Sequence, residues 1–478
     1  MKKNLNEKNG AGDAGEVKEA DPIFEKFGPP FVTDTSGNPK LNQVAIAAKC
    51  AAELQLEFNP TRKEYIQYAP TSGLWQPVNE VEVRRRLNEL LLRLGTEYDH
   101  EDVVRRATYS AHRSLAQMLQ HVHDVLETEA TTGLVHVANG VLDLRRDEVV
   151  LLPHDPKFRF FASAGIRFDE HAKCPRFEKE LLGAALTPDD IKLLQLVIAS
   201  ILLGANISHL ILLIRGGGGT GKSTLLWIIE RIIGEHAVAH LRTNHLLGRF
   251  ESSAFIGKRM LVGSDVPGDT LKEKGARLLK SLTGGDLLEA EFKYVAAKKQ
   301  IRGDFHVVLT SNGRLRIALE GDEEAWRRRL VVVDFDGQKP AHPIPSFADI
   351  LVREEGSGIL NWLVAGAVAF RKVLQETGTL PLTKTQRERI DELLTESDNV
   401  RSFVRERLVA DRNSTVTSDE LLRAYLDFCE QRTVEPVGVY AFQCRAPLVL
   451  LDVLRVHRRN DIPHNGKAAR GYRGVRLC

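Results

Sequence analysis

Four runs of mostly apolar residues in the middle of the chain are continuous rather than alternating. They cover residues 210–214, 259–262, 306–309 and 330–333, and helix-like segments separate them. Continuous apolar runs of this length are typical of strands that are buried on both faces of a sheet. The pattern therefore predicts an α/β core, with a parallel sheet covered by helices.

The segments on either side of this core have different patterns. Residues 41–175 mix helix-like runs with short strands, and we expect one α+β domain there. Residues 396–478 predict two or three helices followed by a basic, strand-like tail. Residues 1–40 begin with a polar, glycine-containing stretch, so we expect a disordered tail.

The composition narrows the class of protein. Of the 478 residues, 43% are apolar and 27% are charged, and the formal net charge is +2, which excludes a histone-like polycation and an acidic disordered chain. That charge is unevenly distributed, because residues 440–478 alone carry a net charge of +6. Five cysteines without CxxC spacing argue against a disulfide framework or a zinc ribbon. With no apolar leader and no uninterrupted apolar span, we expect a cytoplasmic protein without membrane segments.

One octet carries recognisable chemistry. Residues 216–223 fit the phosphate-loop pattern GxxxxGK[ST] and stand between a predicted strand and a predicted helix. Glycines let backbone N–H groups approach phosphate oxygens, and the helix N-terminus adds a positive dipole end. In such a loop Lys222 reaches the β- and γ-phosphates and the Ser223 hydroxyl binds Mg²⁺. We therefore expect ATP and Mg²⁺ as cofactors, bound by Gly216, Gly217, Gly218, Gly219, Thr220, Gly221, Lys222, Ser223 and Thr224.

Three further positions could complete an ATPase site. Asp265 follows the predicted strand at 259–262 and could polarise water and help to hold Mg²⁺. Asn312 follows the strand at 306–309 and could orient the attacking water. Three arginines at 327–329 precede the last strand, where an arginine can act on the γ-phosphate of a neighbouring subunit.

In this order the motifs resemble those of the superfamily 3 helicases, which are AAA+ type ATPases of viruses, phages and plasmids. The likeness is greatest to the phage/plasmid primase-helicase family, which includes the poxvirus-type helicase-primase. It rests on five segments, at 216–223, 257–265, 280–286 with the following Phe292-Lys293-Tyr294, 310–312 and 326–335. The resemblance covers about residues 130–478 and is weaker at both ends of this range than in the middle. The resemblance implies an AAA+ type ATPase domain at 176–385 and a winged-helix-like DNA-binding domain at 396–478.

The chain departs from the family pattern at two places. Asp265 stands where the family usually has glutamate, which is one methylene longer. The arginine run is one residue longer than the family pattern, so counting from Trp326 points to Arg328 and counting from Phe335 points to Arg329. Both arginines therefore stay candidates for the residue that acts on a neighbour's nucleotide.

The resemblance also implies a DNA-binding hairpin between the third and fourth motifs. Its basic side chains would follow the phosphates of one DNA strand, or else they would simply be a solvated charged hairpin. The candidates are Lys293, Lys298, Lys299 and Arg302. The basic C-terminal segment would contact duplex phosphates, and the alternative is a protein-docking module with a basic face.

These expectations describe an ATP-dependent DNA helicase of a phage, plasmid or integrated element, acting in replication in a bacterial cytoplasm. We expect a ring-forming homo-oligomer, most simply a hexamer, on single-stranded and forked DNA, with a separate primase or replication initiator as a further partner. Residues 1–130 offer little room for a primase domain, so we expect no primer synthesis. The alternatives are a primase-helicase with a cryptic primase in residues 1–130, an ATP-dependent origin-binding or loading protein that does not translocate, and a degenerate scaffold that does not hydrolyse ATP.

Overall fold

The computed structural model describes residues 21–478 except for short gaps, which are residues 61–62, 108, 123–128, 242–250, 268–272, 292–297, 314, 318–321, 338, 340–341, 433, 435 and 465. The described residues form two compact units. The smaller unit runs to Ala130 and includes His154–Phe161, and the larger one comprises Thr131–Pro153 and Ala162–Cys478.

The smaller unit packs helices beside short antiparallel strands. Its elements are α1 (Pro22–Phe27), β1 (Phe31–Thr33), β2 (Pro39–Leu41), α2 (Gln43–Leu54), β3 (Leu56–Asn59), β4 (Glu64–Ala69), β5 (Leu74–Val78), α3 (Glu80–Glu97), α4 (Glu101–Arg105) and α5 (Tyr109–Met118). Strands β1 and β2 form one antiparallel pair, and β3, β4 and β5 form an antiparallel sheet in that order. Apolar residues of α2, α3 and α5 form the core.

Two sequence predictions about this region differ from the structure. Residues 21–40 belong to the predicted disordered tail, yet they form α1, β1 and most of β2, because Phe31 is buried in the core and Phe24 packs beside it. Residues 131–153 and 162–175 were expected in the same domain as 41–130, yet they belong to the larger unit. Val137 and Leu142 explain this, since both are buried in the core of that unit.

The larger unit contains the parallel sheet that the sequence predicts. Its elements up to the end of the sheet are β6 (Leu134–Val137), β7 (Gly140–Asp143), β8 (Val150–Leu152), α6 (Gly183–Ala185), α7 (Pro188–Ala199), β9 (Ile211–Arg215), α8 (Lys222–Ile233), β10 (Val238–His240), β11 (Met260–Gly263), α9 (Glu273–Thr283), β12 (Leu287–Glu291), β13 (Lys298–Arg302), β14 (His306–Ser311), α10 (Glu323–Arg327) and β15 (Leu330–Asp334). A short π-helix, Phe177–Leu182, precedes α6. All four apolar runs are strands of one five-stranded parallel sheet.

The order of the strands in this sheet is β10-β11-β14-β9-β15. Strand β14 therefore lies between β9 and β11, although about forty residues or more separate it from either along the chain. Because the strands are parallel and in register, the residues that follow β9, β11 and β14 meet at one edge of the sheet. The residues that precede β9 and β15 lie at the opposite edge.

Helix α11 (Phe347–Thr377) packs against α7 and α8 on one face of the sheet. Among the described helices it is the one that is long and apolar enough to cross a membrane by length and composition. Half of the most apolar stretch of α11 is buried, and residues such as Leu351, Ile359 and Leu363 belong to the core that also contains the sheet. A core helix of a water-soluble protein has the same properties, so α11 is no evidence for a membrane span.

The C-terminal part of the larger unit consists of helices and an antiparallel sheet. After α12 (Lys384–Ser397) the elements are α13 (Asn399–Arg407), β16 (Leu408–Thr417), α14 (Ser418–Gln431), α15 (Val439–Leu454), β17 (Arg458–His464) and β18 (Lys467–Leu477). The sheet has the order β16-β18-β17, so the basic tail predicted as strand-like is a hairpin of β17 and β18. Buried aromatic rings hold the helices together, and the rings of Tyr425 and Phe442 stack with centroids 4.4 Å apart.

Candidate nucleotide-binding site

The glycine loop joins the end of β9 to the start of α8 and has a backbone that only glycine suits. Gly216, Gly219 and Gly221 have φ values of 151°, 82° and 103°, which side chains rarely adopt. A Cβ on Gly216 would lie 2.2 Å from the carbonyl oxygen of Phe335. The close approach of the loop to the chain after β15 therefore explains why glycine is needed at position 216.

Lys222 is the first residue of α8 and is 4% exposed. Its Nζ donates to the carbonyl oxygens of Gly216 at 2.7 Å and Gly217 at 2.8 Å. Burial lowers the pKa of Lys222, and the nearby Asp265 carboxylate opposes that shift. A buried ammonium whose hydrogen bonds go to neutral carbonyls is ready to exchange them for an anion.

The start of α8 adds further donors for an anion. Gly221 at the N-cap makes no side-chain capping bond, so the first N–H groups of this 12-residue helix have no cap. Ser223 is exposed on the first turn, where its hydroxyl oxygen is available to a metal ion. These residues fit a triphosphate with Mg²⁺.

Asp265 and Asn312 meet at the same edge of the sheet as the loop. The Asn312 Nδ2 donates to Asp265 Oδ1 at 2.9 Å, and the Asp265 backbone N–H donates to Thr310 Oγ1 at 3.0 Å. Both side chains are exposed, so a bound water or phosphate could reach them. Asp265 has a φ of 49°, a left-handed conformation that aspartate tolerates better than most residues.

The three arginines lie at the opposite edge of the sheet. The Ile211 N–H donates to the Arg329 carbonyl at 2.8 Å, at the start of β9, whereas the glycine loop follows its end. Five residues of strand separate the two edges, which is about 16 Å at the usual rise. No arginine of this run therefore lies beside the phosphate loop of its own chain.

The side chains of these arginines differ in how they are held. Arg327 forms an ion pair with Asp391 at 2.9 Å. Arg329 donates through Nη1 to the Ala325 carbonyl at 2.9 Å, and burial together with the Arg328 charge lowers its pKa. The Arg328 side chain is exposed and makes no hydrogen bond or ion pair with the described part of the chain, although its backbone N–H donates to the Glu324 carbonyl at 3.2 Å.

The predicted DNA-binding hairpin is formed by β12 and β13, which pair antiparallel. Arg302 stands at the base of this hairpin, opposite Leu287, and its Nη1 donates to the Gly285 carbonyl at 3.2 Å. It therefore does not lie at the tip, where the sequence places the basic cluster. Lys293 lies outside the described residues, as do the side chains of Lys298 and Lys299.

A chain of ion pairs beneath the glycine loop was not predicted from the sequence. Arg215, the last residue of β9, is bonded to both carboxylate oxygens of Asp334, at 2.7 and 3.0 Å. Arg389 of α12 joins Asp334 at 3.0 Å to Asp190 of α7 at 2.8 Å. These residues are far apart in the sequence and follow no local pattern, so only the fold identifies them.

Lys339 is a second cation beside the loop that sequence reasoning missed. Its Cγ, Cδ and Cε atoms lie 3.3–3.5 Å from the position of a Cβ on Gly219. Lys339 is exposed, and the described residues provide it with no ion pair. The Lys339 side chain therefore lies beside the phosphate loop.

Two parts of the chain match known protein families. Residues 46–182 match the family described as D5 N terminal like, and residues 214–329 match a family of unknown function, DUF5906. These matches connect the chain to phage/plasmid primase-helicase-like proteins, as its motifs predict, while the narrower assignment to superfamily 3 stays a prediction. No curated protein matches the chain.

Two solved structures of one protein have a remote likeness to this chain. The apo structure of the NrS-1 C terminal region has 11% identity and a TM-score of 0.44, and the alignment covers 90% of this chain and 98% of that one. The A form apo structure of the same region has 11% identity and a TM-score of 0.44, over 88% and 96% of the two chains.

Proposed function

We propose that the protein is an ATP-dependent DNA helicase with an AAA+ type core, acting in the replication of a phage, plasmid or integrated element. The observation that carries the proposal is the division of the ATPase residues between two edges of one sheet. Lys222, Asp265 and Asn312 lie at one edge, and Arg328, whose side chain has no partner among the described residues, lies at the other. The insertion of β14 between β9 and β11 supports an AAA+ type core, because it brings Asn312 between the loop and Asp265.

Within one subunit, each residue has a defined task. Lys222 and the N–H groups at the start of α8 bind the phosphates, and Lys222 gives up its bonds to the loop carbonyls. Asp265 orients the attacking water and accepts its proton, while Asn312 holds the carboxylate in place. Mg²⁺ held by Ser223, Asp265 and the phosphates would neutralise the charge that develops on the phosphate oxygens.

A second subunit supplies a further positive charge, the guanidinium of Arg328, to the phosphates of the nucleotide. Because Arg328 lies about 16 Å of strand away from its own loop, it can act only on the nucleotide of a neighbouring copy. Arg328 suits this role better than Arg329, whose guanidinium is held on the Ala325 carbonyl. Contacts of this kind between unlike surfaces generate rings when the rotation closes, and we propose a closed ring, most simply a hexamer.

The DNA contacts belong to two hairpins in this proposal. The β12–β13 hairpin, with Lys293, Lys298 and Lys299, would follow the phosphates of a single strand, and Arg302 would support its base. The C-terminal winged-helix-like segment would contact duplex phosphates through the basic β17–β18 hairpin. Single-stranded and forked DNA are therefore the expected ligands, and the bacterial cytoplasm the expected location.

The decisive experiment measures ATP hydrolysis and strand displacement on forked duplexes of both polarities. We expect DNA to stimulate hydrolysis and the protein to unwind one polarity, and Lys222→Ala and Asp265→Asn to abolish both activities. Stimulated hydrolysis without unwinding would instead support an origin-binding or loading protein. An unaltered Lys222→Ala variant would indicate a scaffold, and primer synthesis by the purified chain would reveal a cryptic primase.

The oligomer is tested separately by mass determination with ATP and single-stranded DNA. We expect a ring of defined mass. A chain that hydrolyses ATP while remaining a monomer would exclude the action of Arg328 in trans and, with it, the ring mechanism.

A further inference from the structure

Helix α15, which is described over its whole length, has an unusual distribution of charge. Among its 16 residues the charged ones are Arg445 and Asp452. Arg445 is bound to Asp398 at 2.9 Å and to Glu323 of α10 at 2.5 Å, and Asp452 is bound to Arg401 at 2.7 Å. Both charges are thus engaged within the chain, and α15 offers no free cation to a ligand.

The side of α15 that faces away from the core carries an apolar stripe, which the exposed Gln443 and Asp452 border. Tyr440 is 81% exposed and Leu448 is 68% exposed, and they stand eight residues apart on the same helix face. We call this face the α15 stripe, and it consists of Tyr440, Cys444, Pro447, Leu448 and Leu451. The opposite side, with Phe442, Ala446, Val449 and Leu450, is buried in the local core.

A surface of this kind does not suit a nucleic acid. DNA binding depends on cations that neutralise phosphates, and the cations of this segment lie instead on β17 and β18. Exposed apolar helix faces are rare on isolated proteins and typically mark contacts with other proteins. The α15 stripe therefore fits an apolar protein surface.

We propose that the α15 stripe docks on a second copy of this chain, at the exposed face of α8 that carries Trp227. The proposal rests on the proposed function, in which Arg328 of one copy reaches the phosphate loop of the next. Arg445 ties α15 to Glu323, which is only five residues from Arg328 in the same short helix segment. This ion pair places α15 beside the segment that, in the proposed function, must meet a neighbour.

The receiving surface lies just behind the phosphate loop. Trp227 is 56% exposed on α8, one turn after Ser223 and on the same face of the helix. Five residues of helix separate Trp227 from Lys222, about 8 Å, which is similar to the separation of Glu323 and Arg328. When Arg328 meets the phosphates of the neighbour, α15 can therefore meet the adjacent turns of that neighbour's α8.

The contact joins two different surfaces. A copy that uses its α15 stripe for one neighbour therefore still has its Trp227 surface free for another copy. Aromatic side chains such as Trp227 and Tyr440 are the usual anchors of protein interfaces. Each copy presents an α15 stripe on one side and Trp227 on the other, so the contact can repeat around a ring.

Cys444 provides a probe inside the α15 stripe of the unaltered chain. Cys444 and Cys478 are exposed, whereas Cys50, Cys174 and Cys429 are buried. We expect ATP to slow the maleimide labelling of Cys444 by at least tenfold as the oligomer forms, while Cys478 keeps its rate. Labelling is measured by mass spectrometry beside the oligomer mass, without DNA and then with it.

The outcomes separate this inference from the proposed function. An oligomer that hydrolyses ATP while Cys444 stays reactive overturns the docking of α15 and leaves the helicase proposal intact. Absence of any oligomer overturns both. Protection of Cys444 in the monomer, or only when DNA is added to a monomer, also overturns the docking.

Variants test the same contact from both sides. Leu448→Asp and Trp227→Ala should each raise the apparent dissociation constant of the oligomer at least tenfold, while the monomer still binds nucleotide. Leu426→Asp is the matched control, because Leu426 is a 39% exposed apolar residue on α14, outside the α15 stripe. An oligomer as stable in Leu448→Asp as in Leu426→Asp would contradict the proposal, provided that both variants keep the thermal midpoint of the original chain.

Discussion

At the scale of single residues, the backbone offers a reason for the aspartate at position 265. A left-handed φ of 49° favours aspartate over longer side chains, which have less opportunity to bond their own backbone. The hydrogen bond from Asn312 Nδ2 then fixes the carboxylate at 2.9 Å. The shorter acid thus agrees with the turn that carries it, and the departure from the family's glutamate has a local explanation.

Lys339 should contribute to the binding of ATP rather than to its hydrolysis. Its side chain packs beside Gly219 of the phosphate loop, so under the proposed function its ammonium would meet the phosphates equally before and during the reaction. We expect Lys339→Ala to raise KM for ATP by about two- to fivefold with little change in kcat, as for an exposed charge pair of up to about 1 kcal/mol.

The control for Lys339 is Lys384→Ala, because the Lys384 side chain is 88% exposed on α12 and its ion pair within the described residues is with Glu388. Steady-state kinetics over a range of ATP concentrations separates the two parameters. A fall in kcat at unchanged KM would assign Lys339 to the chemical step instead.

His306 should make the stability of the larger unit depend on pH. Burial lowers the pKa of His306 from its ordinary 6.5 to about 4. Between these two pH values the unfolded chain therefore binds a proton that the folded chain does not. His306 thus leaves the free energy of unfolding undiminished above pH 6.5 and lowers it as the pH drops towards 4. The loss is about 3 kcal/mol at the lower end.

The variant His306→Gln isolates this effect, because glutamine does not titrate in this range. Nε2 of His306 pairs with the Gly204 carbonyl at 2.9 Å, and an amide can donate to the same oxygen. We expect denaturant unfolding at pH 7.5 and 5 to differ less in the variant than in the original chain. Equal differences in the two proteins would show that other groups cause the acid sensitivity.

At the scale of structural elements, the glycine loop depends on its fit against the chain after β15. In Gly216→Ala the new Cβ would meet the Phe335 carbonyl at 2.2 Å and would also occupy an unfavourable φ. We expect a loss of about 2 kcal/mol of stability and weaker nucleotide binding. Gly218→Ala is the control, because no atom lies within 4 Å of its Cβ position.

Thermal unfolding and binding of a fluorescent ATP analogue measure both consequences for the loop. The control variant should keep the thermal midpoint of the original chain. If Gly216→Ala and Gly218→Ala unfold at the same temperature, the close contact with Phe335 does not constrain the loop.

The strands of the core could be predicted because strands that are buried on both faces have continuous apolar sequences. Continuous apolar runs identified four strands of the parallel sheet, and the P-loop pattern located the start of α8. The position of β14 between β9 and β11 could not be predicted, since hydrogen bonding between distant strands leaves no local pattern. For the same reason Arg389, whose partners are Asp334 and Asp190, remained hidden in the sequence.

At the scale of the whole molecule, the two edges of the sheet lead to a prediction about mixtures. Lys222→Ala removes the phosphate lysine and keeps the arginine, and Arg328→Ala does the reverse. Each variant alone should lack ATPase activity. In an equal mixture, about a quarter of the contacts would pair an intact loop with an intact arginine, assuming random assembly.

ATPase activity of the mixture is therefore expected at up to about a quarter of the original value. Mixing Lys222→Ala with a Lys222→Ala, Arg328→Ala double variant is the control, since no contact in it contains an intact loop. Inactivity of the first mixture, with oligomers present, would show that Arg328 does not act across subunits.

The position of β9 also has a consequence for synthesis of the chain. Both neighbours of β9 come later, since Leu212 lies opposite Val308 of β14 and Val331 of β15. A ribosome adding about 5–20 residues per second needs on the order of ten seconds to reach them. During that interval an apolar strand has two unpaired edges, which favour pairing with other chains. We therefore expect growing chains to need shielding of β9, for example by a chaperone, until β15 has emerged.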